Sequence, residues 1–271
     1  MKNSKTGHIP RKRWSQNFLT DLNIARKIAG SLEVPSPSLI LEIGPGRGML
    51  TRFLLDRAEL VIGIEIDPDL ALNLAGKLDR QDRLHIIQND VLDLDLREIL
   101  KPYSKRNISV AGNLPYHITS PILFKILEHA NLFNEAVLMT QKEVAHRIAA
   151  SPGSRVYGIL SVFCQFYSMV DYLFTVPAHL FFPKPKVDSG VIRLRFFPED
   201  ELPKTNTTIL KEIVRKTFSQ RRKMLRNTLS QLYPEAILDH VNLDLTRRPE
   251  ELSVEEFVNL SDQLQKIQKC M

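Results

Sequence analysis

The chain has 271 residues, 43% of them hydrophobic, and a formal net charge of +6. That is enough for one large domain or two modest ones with a proper core. Its two cysteines lack metal or disulfide spacing, the first 20 residues lack an apolar leader segment, and no apolar run reaches about 18 residues. A disulfide scaffold, an exported chain and a membrane span are therefore excluded, and the expectation is a cytoplasmic protein without a metal, with Cys164 in its core.

The positive charge is clustered. Residues 1–20 carry Lys2, Lys5, Arg11, Lys12 and Arg13 with no acid among them. Residues 211–226 carry Lys211, Arg215, Lys216, Arg221, Arg222, Lys223 and Arg226 against Glu212 alone. Clustering of this kind fits phosphate contacts better than scattered solubility charge.

In chain order, Trp14 to Leu19 is followed by a strand at Leu39–Ile43 and a glycine-rich turn, Glu42-Ile43-Gly44-Pro45-Gly46-Arg47-Gly48. Glycines there permit a tight turn and close backbone approach to a ligand. The dinucleotide fingerprint needs a third glycine where Met49 stands, so the spacing favours S-adenosylmethionine over a nicotinamide cofactor. Met49, Leu50, Phe53 and Leu54 give one helix face. A second strand, Val61–Glu65, ends on a carboxylate about 20 residues past Gly44, placed for ribose hydroxyls. A third, Leu84–Ile87, leads to Asp90, placed for the cofactor's adenine amine.

The fourth strand, Ile108–Ala111, runs into Asn113-Leu114-Pro115-Tyr116. The Asn113 amide oxygen and the Leu114 carbonyl can accept both hydrogens of an exocyclic amine, and Tyr116 can stack on its ring. Ser120-Pro121 reads as the next helix start. A strand at Ala136–Thr140 follows, then Tyr172–Val176 and Gly190–Phe196 as a late hairpin with a long connection. Strand–helix alternation predicts a parallel, doubly wound sheet. Residues 198–203 read as a linker, so the expected domains are 1–199 and 200–271. The second is all-helical, with apolar stripes at Ile209, Leu210, Ile213, Val214 and Phe218 and at Met224, Leu225, Leu229 and Leu232. A continuous helix would place Arg215, Arg222 and Arg226 on one face, opposite the apolar stripe.

Taken together, these segments resemble the KsgA-type ribosomal RNA adenine dimethyltransferases, relatives of the Erm resistance methyltransferases. The resemblance covers nearly the whole chain: Arg11 to Leu19, Glu42 to Gly48, Glu65, Asp90, Asn113 to Tyr116, Phe181 to Ser189 and Phe218 to Asn227. It implies a Rossmann-like S-adenosylmethionine-dependent methyltransferase sheet with a small C-terminal all-helical domain. It implies cofactor contacts from Asn17, Leu19, Gly44, Gly46, Glu65, Asp90 and Asn113. It also implies chemistry at Asn113, Leu114, Pro115 and Tyr116, with Phe181 stacking on the base opposite Tyr116. The RNA contacts expected are Arg11, Lys12, Arg13, Lys184, Lys186, Arg221, Arg222, Lys223 and Arg226. The implied substrate is a pair of adjacent adenosines near the 3' end of small-subunit rRNA, in a pre-ribosomal particle, modified by a monomeric enzyme. An Erm-type enzyme acting on the large subunit and a non-catalytic assembly factor are the alternatives. His117 follows the tyrosine where asparagine is frequent, and Phe182 and Lys184 stand at variable loop positions.

Overall fold

The computed structural model describes residues 17–76 and 81–270. Its strands are β1 (Phe18–Leu19), β2 (Ser38–Ile43), β3 (Leu60–Glu65), β4 (Leu84–Gln88), β5 (Asn107–Asn113), β6 (Glu135–Gln141), β7 (Ser168–Val176), β8 (Phe181–Phe182) and β9 (Ser189–Phe196). The helices are α1 (Leu22–Gly30), α2 (Thr51–Leu54), α3 (Pro68–Ala75), α4 (Leu96–Leu100), α5 (Thr119–Glu128), α6 (Lys142–Ile148), α7 (Ile159–Tyr167), α8 (Thr207–Ser219), α9 (Leu225–Leu229), α10 (Glu235–Leu238) and α11 (Val254–Cys270). The chain divides into two compact units, residues 1–145 with 169–196 and residues 146–168 with 197–271.

The first unit is built on a seven-stranded sheet in the order β4-β3-β2-β5-β6-β9-β7. β2 pairs in parallel with β3 and β5, β3 with β4 and β5 with β6, whereas β9 runs antiparallel to β6. Each strand predicted from β-branched runs is present and slightly longer, and the late hairpin strands β7 and β9 are neighbours. β2 and β3 are buried along their whole length, which is why they read as continuous apolar runs rather than alternating ones. Ile40, Val61, Ala111, Val137 and Val191, from five adjacent strands, share one core cluster with Ala25, Ile28 and Ala29 of α1 and Leu54 of α2. Burying one such Val, Leu or Ile side chain contributes about 1.5–3 kcal/mol. Asp21 caps α1 by accepting from the Ile24 N–H at 2.8 Å.

Strand order reverses at β2: the chain first winds to β3 and β4 on one side, then crosses to β5 on the other. Such a reversal opens a crevice at the carboxyl ends of the two flanking strands. Those ends carry the glycine turn after β2 and the Asn113–Tyr116 segment at the end of β5.

The second unit corrects two expectations. Its first segment, 146–168, comes from within the predicted first domain, 1–199. The reason is α7: Leu160, Val162, Phe163, Cys164 and Phe166 are all buried and need apolar partners, which α8 and α11 supply. Tyr157 lies 6.1 Å from Phe218 by ring centroid, and Phe218 lies 5.9 Å from Phe257. Cys164 is fully buried here, and burial pushes its thiol up to about 12, so it is an inert core residue.

The predicted continuous basic helix is also broken. α8 stops at Ser219, and α9 starts only at Leu225. The first N–H groups of α9 donate to the Arg247 and Leu245 carbonyls at 2.9 and 3.0 Å, so they bond a distant loop instead of extending α8. Arg215, Arg222 and Arg226 therefore do not share one helix. Met224 is 49% exposed, so only Leu225 and Leu229 of its stripe are buried.

Candidate active site

The turn after β2 puts Gly44, Gly46 and Gly48 at φ +68°, +58° and +77°, the left-handed region that side chains rarely adopt. At Gly46 a second constraint applies. A Cβ there would lie 3.1 Å from the Phe18 ring, which closes over the turn and is itself covered by the Arg47 guanidinium at 4.5 Å. The Gly46 N–H donates to Glu65 Oε2 and the Asp67 N–H to Glu65 Oε1, both at 2.9 Å. Burial pushes the Glu65 carboxyl up, against these two bonds, which pull it down. Asp90 is half-buried, and its Oδ1 accepts from the Leu92 N–H at 2.9 Å.

Beside this turn, β5 delivers the segment Asn113–Tyr116. The Asn113 Nδ2 donates to the Asn17 carbonyl at 2.9 Å, which leaves the amide oxygen as the acceptor. The Leu114 N–H donates to the Met139 carbonyl at 2.9 Å and fixes the peptide at the strand end. Thr119 Oγ1 donates to the Pro115 carbonyl at 3.1 Å and pairs with Thr140 Oγ1 at 2.9 Å. Thr119 thus begins α5 directly after a short turn, and Ser120 is not the cap that the sequence suggested. The Tyr116 hydroxyl bonds Ser189 Oγ at 2.7 Å. Asn17, Leu19, Gly44, Gly46, Glu65, Asp90 and Asn113 line a single cleft, together with Leu114, Pro115 and Tyr116.

Phe181 lies elsewhere. β1 and β8 pair antiparallel, Phe18 opposite Phe182 and Leu19 opposite Phe181, which joins segments some 160 residues apart. Neighbouring strand residues face opposite ways, so one phenylalanine of the pair must go inward. It is Phe181, 4% exposed in the core cluster with Leu19, Val176 and Val191; Phe182 is 56% exposed. Phe181 is not among the residues lining the cleft.

One further residue belongs to the cleft. Glu42 is fully buried, and burial pushes its carboxyl up to about 8. Its Oε2 is a buried polar atom without a hydrogen-bond partner among the described residues. The sequence held the signal, an acid two residues before the first turn glycine, but gave no sign that it would be buried at the cleft. An orphaned buried acceptor at a glycine turn fits a ligand carrying an ammonium group.

The sequence model for "Ribosomal RNA adenine dimethylase" matches residues 7–266. The chain belongs to this family. Among curated relatives, "Ribosomal RNA small subunit methyltransferase A" of Saccharophagus degradans is 40% identical, covering 97% of this chain and 99% of its own. The protein of the same name from Pseudomonas aeruginosa is 40% identical over 95% of both. Among solved structures, a dimethyladenosine transferase from Plasmodium falciparum gives a TM-score of 0.75 at 26% identity, covering 92% and 98%. The 23S rRNA methyltransferase ErmE gives 0.68 at 30%, covering 92% and 100%.

The expected RNA contacts of this adenine dimethylase divide into three groups. Arg11, Lys12 and Arg13 lie outside the described residues. Lys184 and Lys186 are exposed in the loop after β8, and Arg222 and Lys223 are exposed between α8 and α9. Arg221 and Arg226 are held within their own unit. Arg221 donates to the Ser154 carbonyl at 3.2 Å and approaches Glu250 at 3.7 Å. Arg226 pairs with Glu235 at 2.5 Å and Asp239 at 2.9 Å. Among the described residues, no group of three or more His, Cys, Asp or Glu could hold a metal, and no helix is long and apolar enough to cross a membrane.

Proposed function

We propose that the chain transfers methyl groups from S-adenosylmethionine to the N6 amines of two adjacent adenosines near the 3' end of small-subunit rRNA, in a pre-ribosomal particle. The observation that carries this reading is Asn113–Tyr116 at the end of β5, beside the glycine turn, with the Asn113 amide fixed by Asn17. The near-full-length likeness to small-subunit methyltransferase A proteins supports the choice of subunit over the Erm-type alternative, whose solved representative is less similar.

The cleft's donor set fits the cofactor. Glu42 would hold the ammonium of the methionine portion, Glu65 the ribose hydroxyls and Asp90 the adenine amine. When bound, S-adenosylmethionine supplies a methyl already activated on a sulfonium. The protein's own work is then mostly positioning. Asn113 Oδ1 and the Leu114 carbonyl accept the two hydrogens of the target amine and pull it toward tetrahedral geometry, aiming its lone pair into the cleft. Both acceptors also favour the positive charge that builds on nitrogen. The alkylated nitrogen is acidic and releases its proton to water, so no dedicated base is needed.

Tyr116 is the stacking wall for a base that has left its own stack. Aromatic stacking of about 1–3 kcal/mol per base helps offset an unstacking cost of a few kcal/mol. A second wall at Phe181 requires that ring to turn out of its core cluster on base entry. Residues 1–199 would carry the chemistry, less the 146–168 segment. That segment would join the helical unit, where Arg222 and Lys223 contact phosphates. The protein would act as a cytoplasmic monomer. Incubation with labelled S-adenosylmethionine and separated, undermethylated ribosomal subunits tests this reading. The expected result is label in N6,N6-dimethyladenosine of the small subunit; label in the large subunit would select the Erm-type reading.

A further inference from the structure

Tyr116 and Ser189 stand 73 residues apart, yet their side-chain oxygens are 2.7 Å apart. Ser189 is fully buried at the first position of β9, where it pairs with Gln141 of β6. Its neighbour Asp188 is held as tightly: the Asp188 carbonyl accepts from the Lys142 N–H at 3.0 Å, and Asp188 Oδ1 accepts from the Ala178 N–H at 2.9 Å. The serine hydroxyl is thus a fixed point of the sheet rather than a mobile surface group.

Stacking uses the face of the tyrosine ring and makes no use of its hydroxyl. A ring held only at its Cβ end can swing about the Cα–Cβ bond between staggered rotamers. The Tyr116 oxygen lies at the far end of the ring's long axis, so its hydrogen bond to Ser189 holds that axis in one rotamer. Desolvation also holds the Tyr116 hydroxyl in its protonated form, able to donate or accept.

We propose that Ser189 is a positioning residue for methyl transfer: by holding the Tyr116 hydroxyl it fixes where the ring lies beside Asn113, so that the target base stacks in reactive register. This rests on the dimethylase reading above. It assigns a purpose to a serine that touches neither cofactor nor base, and it explains why a tyrosine rather than a phenylalanine suits position 116.

A double-mutant cycle tests it, with wild type, Ser189→Ala, Tyr116→Phe and the double variant assayed on undermethylated small subunits. S-adenosylmethionine binding is measured in parallel by calorimetry. Loss of one such hydrogen bond is expected to lower kcat about 5–10-fold. The KM and affinity for S-adenosylmethionine should be unchanged. The double variant should be no slower than Tyr116→Phe alone, and Ser189→Thr should recover most of the rate. Additive losses in the double variant overturn the proposal. So does a Ser189→Ala protein that binds S-adenosylmethionine poorly, since the serine would then be merely structural. A wild-type protein that transfers no methyl would sink the dimethylase reading and this proposal with it, whereas additivity would sink this proposal alone.

Discussion

The cofactor end of the cleft is assembled from strand ends that lie side by side in one sheet, with the glycine turn bonded to Glu65 of the adjacent strand. The end proposed to hold the target amine is assembled from residues far apart in the chain. Asn113 is oriented by Asn17, 96 residues away, and Tyr116 by Ser189, 73 residues away. One end is set by the local backbone geometry of a strand–turn–helix unit, the other by side chains that only long-range pairing brings within reach. A cofactor shared by many enzymes needs only the first; presenting a chosen amine to it needs the second.

The largest effect expected is at the amine end. Asn113→Ala removes one proposed acceptor of the target amine and should lower kcat about 10²–10³-fold. Calorimetry should show S-adenosylmethionine binding within a few-fold of wild type. An equal loss of both would erase the distinction between the two ends. The converse substitution, Gly46→Ala, places a Cβ against Phe18 at a left-handed position. Strain of this kind costs about 1–3 kcal/mol. It should appear as weaker cofactor binding and a lower Tm, with kcat at saturating cofactor much less affected. The smallest effects belong to the second unit. Replacing Arg222 and Lys223 by alanine should weaken binding to small subunits and flatten its salt dependence, by about one unit of slope for each phosphate no longer neutralised. Arg221→Ala and Arg226→Ala should leave the salt slope nearly unchanged, because those arginines already face Glu250, Glu235 and Asp239. A slope set by Arg221 and Arg226 would mean that these pairs open on RNA.

How legible each part was follows the same division. The strands were readable because buried parallel strands must be continuous apolar runs, and Gly44, Gly46, Glu65 and Asp90 because turn and strand-end chemistry is local. Three things were not readable. The Phe181–Phe182 pair carries no local mark of which ring faces inward; pairing with β1 decides that. The α7 segment reads as part of the sheet domain because sequence order, not packing, surrounds it with strands. The break between α8 and α9 was hidden because its cause, the Leu245 and Arg247 carbonyls, lies some 20 residues downstream.

The sequence by itself determined the fold class, the glycine turn and the identity of the groups proposed to meet the amine. These depend on propensity, periodicity and residue chemistry, which act over a few neighbours. Only the tertiary structure decided which of those groups are aimed. It turned Asn113 by a backbone carbonyl from the N-terminal segment and tethered Tyr116 to the start of a late strand. It also buried Glu42 with its Oε2 unpaired among the described residues, and Phe181 in the core. Orientation and burial are properties of contacts between distant segments, and no window of sequence contains both partners.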